Sequence, residues 1–203
     1  MPAGSPIRIR YEHGLPQAEP VSINKNRQYA MSSHPYDRLS LTQGRQMIFT
    51  PCPGTKGVDL AASIRQLHDA GASAIITMMP DEELAKFDVS ALPELVGQAG
   101  MQWFQFPVED DAAPGHVFEQ TWEQHKAGVL ALVEQGECVA IHCRGGSGRT
   151  GFMAAVILRE LGVDGPEATA LITGLRPKSL KLAAHSDYLT SHYDTKTEQE
   201  LLP

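Results

Sequence analysis

The sequence is poor in cysteine, in positive charge and in long apolar stretches, and each shortage excludes something. Its 203 residues hold three cysteines, Cys52, Cys138 and Cys143, too few and too odd in number for a disulfide framework. Lysine and arginine total 17 against 24 aspartates and glutamates, a formal net charge of −7. That balance argues against a non-specific nucleic-acid binder. The longest uninterrupted apolar run covers residues 152–158, far short of the ~20 residues a membrane span needs. No charged-then-apolar leader opens the chain, so export by a signal peptide is not expected. The eight histidines show no His-Glu-x-x-His spacing, and no metal or other cofactor is expected. What remains, at 42% hydrophobic and 20% charged, is an ordinary globular composition. The expectation is a cytoplasmic monomer that needs neither nucleic acid nor membrane.

Residues 1–44 read as an irregular N-terminal arm, with Pro2, Pro6, Pro16 and Pro20 scattered through its first half and no strand or helix period. From about residue 45 the pattern changes. Short apolar runs at 47–50, 74–79, 101–108 and 138–142 read as strands. Helical spacing marks 58–70, 92–99, 116–135, 149–161, 166–175 and 180–193. Strands alternating with helical crossovers predict an α/β fold with a central, mainly parallel sheet of four to five strands flanked by helices. The run 138–142 is apolar throughout and belongs at the sheet's centre. The domain is placed at 45–195, with a frayed tail over 196–203.

At the carboxyl end of that central strand the chain reads His142-Cys143-Arg144-Gly145-Gly146-Ser147-Gly148-Arg149-Thr150-Gly151. In open α/β sheets ligands bind there, where strand ends meet helix N-termini. Cys143 opens a tight loop and Arg149 closes it after five intervening residues. Three glycines permit positive backbone dihedrals that turn N–H groups inward into an anion nest. A phosphate held by Arg144, Gly145, Gly146, Ser147 and Gly148 would meet backbone donors, a helix dipole and the guanidinium of Arg149. The same surroundings favour a thiolate: a helix N-terminus with a nearby arginine can bring a cysteine pKa to roughly 3.5–7.5. Thr150 can offer its hydroxyl to the sulfur, and His142 is expected to support the loop as a neutral strand-end residue. A buried, inert cysteine beside a glycine turn is the bland alternative. By average residue usage, though, such a string arises by chance in a chain this long with odds on the order of 10⁻⁶.

The segment resembles the Cys-x5-Arg phosphate loop of the protein tyrosine and dual-specificity phosphatases. The resemblance implies a phosphotyrosine phosphatase-like fold and attack by Cys143 on a phosphomonoester, with Arg149 binding the transition-state oxygens. The family also supplies an aspartic acid from a separate loop. Phe106-Pro107-Val108-Glu109-Asp110-Asp111 resembles that loop, picking Asp110, with Asp111 as runner-up and Glu109 third. An acid donor must hold a proton to act, so an acidic rate optimum is expected. Pro53-Gly54-Thr55-Lys56 and Glu83-Leu84-Ala85-Lys86-Phe87-Asp88-Val89 resemble the kinase-associated branch, the cyclin-dependent-kinase-inhibitor type. Lys178 and Lys181 depart from that branch's pattern, where a water-positioning glutamine is usual, and read better as surface lysines. Lys25-Asn26-Arg27-Gln28-Tyr29 is only faintly similar to the family's phosphotyrosine-recognition loop. The expected partner is a phosphorylated protein, bearing phosphotyrosine and in addition phosphoserine or phosphothreonine. Two alternatives stay open: a phosphoprotein-binding module without turnover, and rhodanese-like sulfur transfer.

Overall fold

The computed structural model describes residues 10–12 (backbone only), 33–41 and 44–194. The tail expected over 196–203 and the 25–29 segment lie outside the described residues. In chain order the elements are β1 (Arg10–Glu12), β2 (Asp37–Ser40), β3 (Gln46–Pro51), α1 (Leu60–Asp69), β4 (Ala72–Thr77), α2 (Asp81–Lys86), α3 (Leu92–Gln98) and β5 (Gln102–Gln105). They continue with α4 (His116–Glu134), β6 (Cys138–Cys143), α5 (Gly148–Glu160), α6 (Gly165–Leu175), α7 (Ala183–Leu189) and a π-helical turn, Thr190–Asp194.

The strands form one sheet in the order β1-β2-β3-β6-β4-β5. β3, β6, β4 and β5 run parallel, while β1 and β2 join antiparallel at one edge. The mainly parallel sheet flanked by helices is therefore the architecture that the alternation of elements predicts, with six strands where four to five are expected and with β6 hydrogen-bonded on both sides. The irregular arm assigned to residues 1–44 needs correction, because β1 and β2 lie inside it. Strands of three and four residues are too short to show a period. What orders β2 is its partner: Leu39 faces Met47 across the ladder, and both are fully buried.

Alternation along β6 divides the core. Val139, Ile141 and Cys143 pack on one face with Phe118 and Trp122 of α4, Phe152 and Ile157 of α5, and Leu171 of α6. Cys138 and Ala140 pack on the other with Ile64 and Leu67 of α1 and Leu92 and Val96 of α3. All six β6 residues are buried, which explains the apolar run of residues 138–141 ahead of the buried His142. Helix ends are set locally: Asp59 accepts from the Ala62 N–H at 2.8 Å to start α1, and Asp164 does the same from Glu167 at 2.7 Å for α6. α2 is too short for a helical period to be read, but Asp81, Glu82 and Glu83 fill its first turn, where the helix dipole favours acids.

Candidate active site

The site lies where β6 ends and α5 begins. Cys143 is the last residue of β6, and its sulfur is met by the Gly146 N–H at 3.3 Å and the Thr150 hydroxyl at 3.2 Å. The loop turns tightly because Gly146 adopts φ +74°. A Cβ there would lie 2.6 Å from Thr50 O and Pro51 N, so the loop needs glycine at this position for both conformation and space. Gly145 and Gly148 do not take positive φ, which corrects the expectation of three left-handed glycines. A Cβ at either would meet nothing within 4 Å, so their backbone faces open space at the loop's mouth. Ser147 precedes α5 without a side-chain cap, and its carbonyl accepts from the Ser179 hydroxyl at 2.9 Å. Arg144 is exposed, its guanidinium 5.2 Å from the ring centre of Phe87. Its carbonyl accepts from the Cys52 N–H at 3.3 Å.

Arg149 is only 2% exposed, the largest of the fully buried side chains. Its Nη1 donates to Glu83 Oε2 at 2.5 Å and to the Val108 carbonyl at 2.9 Å. Nη2 donates to Glu83 Oε1 at 2.9 Å and stands 3.0 Å from Asp110 Oδ1. Burial on its own lowers the guanidinium pKa, but the Glu83 hydrogen bonds, with Cys143 and Asp110 nearby, raise it above the ordinary arginine value. Arg149 is therefore charged. In the sequence Glu83 stands out only as part of a flanking resemblance. Its pairing spans 66 positions, a separation that no local pattern reveals.

Asp110 is 54% exposed and reaches the site from a turn closed by the Ala112 N–H on Glu109 O at 3.2 Å. Asp111 has φ +56° in that turn, a conformation that aspartate tolerates better than most residues. The ion pair to Arg149 is made by Asp110, while Asp111 is near enough to His185 to influence its charge. His185 is a second residue that no motif or spacing in the sequence singles out. It is buried, stacks on Phe152 at 4.8 Å between ring centres, and sits against the Ala112 backbone. Burial pushes its pKa below the ordinary histidine value.

His142 points to the opposite sheet face. Its Nε2 lies 2.8 Å from Thr77 Oγ1 on β4, and burial lowers its pKa to about 3. It is neutral; its Nε2 bonds to the neighbouring strand, while the backbone of Cys143, where the loop opens, also acts on its imidazole. Cys138 belongs to that same face and Cys143 to the other. Burial raises the Cys138 thiol to about 11. Cys52 is raised to about 12 by burial first, then by Glu83 and Cys143. Lys178 and Lys181 are exposed. Among the described residues no helix is long and apolar enough to cross a membrane.

A family model described as "Tc-R-P: Polymorphic toxin system, DSP-PTPase phosphatase" matches residues 55–162, just over half of the chain. No curated protein sequence matches it. Among solved structures, kinase associated phosphatase (KAP), with its catalytic-site cysteine substituted by serine, has a TM-score of 0.71 at 22% identity. That match covers 81% of this chain and 96% of the other. PTPMT1 in complex with PI(5)P gives 0.59 at 19% identity, covering 76% and 94%. Tk-PTP in its active form gives 0.56 at 22%, covering 75% and 93%. At such identities these three likenesses are of fold.

Proposed function

The chain belongs to the DSP-PTPase phosphatase family of polymorphic toxin systems, a family of cysteine-dependent hydrolases, and from that premise we propose that it hydrolyses phosphomonoesters on phosphoproteins through a cysteinyl-phosphate intermediate. The observation that carries the reading is the Cys143 sulfur, met by the Gly146 N–H and the Thr150 hydroxyl at the foot of a helix whose second residue is the buried Arg149.

In the first step the Cys143 sulfur attacks phosphorus, an S–P bond forms, and the P–O bond to the substrate breaks. The leaving oxygen takes a proton from Asp110. Arg149 and the loop N–H groups hold the equatorial oxygens, where charge accumulates. In the second step water attacks phosphorus and gives its proton to Asp110. The S–P bond breaks, inorganic phosphate leaves, and Thr150 offers its hydroxyl to the departing sulfur. The proposed substrates are phosphotyrosine and, in addition, phosphoserine or phosphothreonine.

The test is hydrolysis of para-nitrophenyl phosphate with EDTA present, from pH 5 to 8, comparing the native protein with Cys143→Ser and Asp110→Asn. Turnover that disappears in Cys143→Ser, and that rises toward acid pH in the native protein, is the expected result. A folded native protein without turnover overturns the reading. Turnover unaffected by Asp110→Asn overturns the acid assignment.

A further inference from the structure

Arginine has five N–H bonds in one plane, and in this site their use can be followed one by one. Glu83 takes the end of the guanidinium as a fork, Oε2 on Nη1 and Oε1 on Nη2. The second Nη1 proton goes to the Val108 carbonyl. What remains is the side edge, formed by Nε–H and the second Nη2–H, which point the same way because the group is planar. Nε is buried and has no hydrogen-bond partner among the described residues. Asp110 Oδ1 stands 3.0 Å from Nη2, an ion pair beside that edge.

A phosphate gripped by a forked guanidinium needs two parallel donors. With Glu83 on the end, the side edge is the one pair left, and a carboxylate already stands beside its Nη2. We propose that Asp110 is a placeholder on the phosphate edge of Arg149, which an arriving oxyanion must displace. In the same proposal Glu83 is the positioning residue that makes the displacement compulsory, by denying Arg149 its other edge. Phosphate arrival and release of Asp110 then become one event: Asp110 turns toward the leaving oxygen only when a phosphate is in the loop. Calling Asp110 the acid rests on the phosphatase reading above, whereas the competition for Arg149 concerns any tetrahedral oxyanion. Cys143 and His185 are also titratable groups within electrostatic reach of Arg149, and Glu109 and Asp111 flank Asp110 in its loop. Among the described residues the carboxylates paired with Arg149 are Glu83 and Asp110.

The test is calorimetric binding of sulfate, a tetrahedral dianion, at pH 7 and fixed ionic strength. It uses full-length protein carrying Cys143→Ser, so that neither turnover nor the sulfur's charge enters. Displacing a half-exposed ion pair weakens binding by about three- to fivefold, so adding Asp110→Asn should tighten sulfate by that factor. Glu109→Gln removes the same charge one residue earlier in the loop and should leave affinity within about 1.5-fold. In a Glu83→Gln background Arg149 regains a choice of edge, and the Asp110→Asn gain should shrink by half or more. An unchanged or weaker affinity in Asp110→Asn overturns the proposal. Equal tightening by Glu109→Gln also overturns it, because bulk charge would then explain the effect. Turnover of para-nitrophenyl phosphate by the Cys143 protein is scored separately, so a failed phosphatase reading and a failed competition give different results.

Discussion

At position 151 a single hydrogen decides the fit. A Cβ there would lie 2.5 Å from Ser179 Cβ and 2.6 Å from its hydroxyl, and that hydroxyl holds the Ser147 carbonyl at the end of the phosphate loop. In an open helix, replacing glycine by alanine stabilises by about 1 kcal/mol. Here Gly151→Ala should instead destabilise by about 1–3 kcal/mol through overpacking, seen as a lower urea midpoint. A raised midpoint would show that Ser179 yields freely. Glu83 makes the complementary case. Gln at this position removes one of two charges in a pair whose side chains are 2% and 14% exposed. We expect Glu83→Gln to cost about 2 kcal/mol or more of stability. It should also lower kcat/KM on para-nitrophenyl phosphate roughly 10- to 100-fold, because Arg149 loses its fixed orientation. Native-like kinetics in that variant would mean that Val108 and the helix position Arg149 unaided.

At the scale of elements, a row of polar side chains crosses the sheet behind the phosphate loop. His34 Nε2 lies 2.6 Å from Thr50 Oγ1 on β3, and Thr50 pairs with His142 of β6, which pairs with Thr77 of β4. The Trp103 indole donates to Thr77 Oγ1 at 2.9 Å, leaving that hydroxyl's own proton for His142 Nε2. Burial is the main cause of the lowered histidine pKa values, about 4 for His34 and about 3 for His142 against an ordinary 6.5. Below pH 6.5 the unfolded chain takes up protons that the folded chain refuses. Their contribution to stability is therefore complete above pH 6.5 and falls as pH drops toward 4 and then 3. The slope approaches about 1.4 kcal/mol per pH unit for each histidine. Urea unfolding at pH 7, 6 and 5 should show this decline, shallower by one proton in His142→Gln. A stability that is flat over that range would mean the imidazoles take up protons in the fold as readily as in the unfolded chain. Little of this row was legible in advance. The strands β3, β4 and β6, the loop and α5 announce themselves because burial on both faces writes short apolar runs and the tight loop needs glycine at position 146. The partner of a buried histidine is set by strand register, which the pattern of one strand does not carry. Glu83 escaped for the same reason, since six residues of α2 are too few for a period and its partner is distant in the chain.

At the scale of the whole molecule the question is where the folding unit begins. Composition alone places the boundary near residue 45, but the described structure extends the unit backwards. β2 extends the sheet between β1 and β3 and buries Leu39 fully. Asp37 binds Arg176 Nε at 2.6 Å, and Arg176 Nη2 reaches the Phe49 carbonyl at 3.1 Å, tying the end of α6 to β3. Arg38 bonds to the Ala70 carbonyl and Gln46, and the His34 N–H donates to Gln66 on α1 at 2.6 Å. A chain starting at residue 45 would lose all of these except the Arg176–Phe49 bond and would leave the β3 edge unpaired, a template for aggregation. Burial of Leu39 alone is worth about 1.5–3 kcal/mol, a large share of a total stability of about 5–15 kcal/mol. At about 2–4 °C per kcal/mol for a chain of this size, the loss should lower the melting temperature by roughly 10 °C or more and reduce soluble yield. A chain starting at residue 33 keeps β2, His34 and the Asp37–Arg176 pair, and should melt within a few degrees of the full chain. Arg176 is three residues from Ser179, whose hydroxyl holds the phosphate loop, so the shorter chain should also hydrolyse para-nitrophenyl phosphate more slowly at temperatures where it remains folded. Equal melting temperatures and equal rates for the two truncations would return the boundary to residue 45 and make β2 an ornament of the sheet.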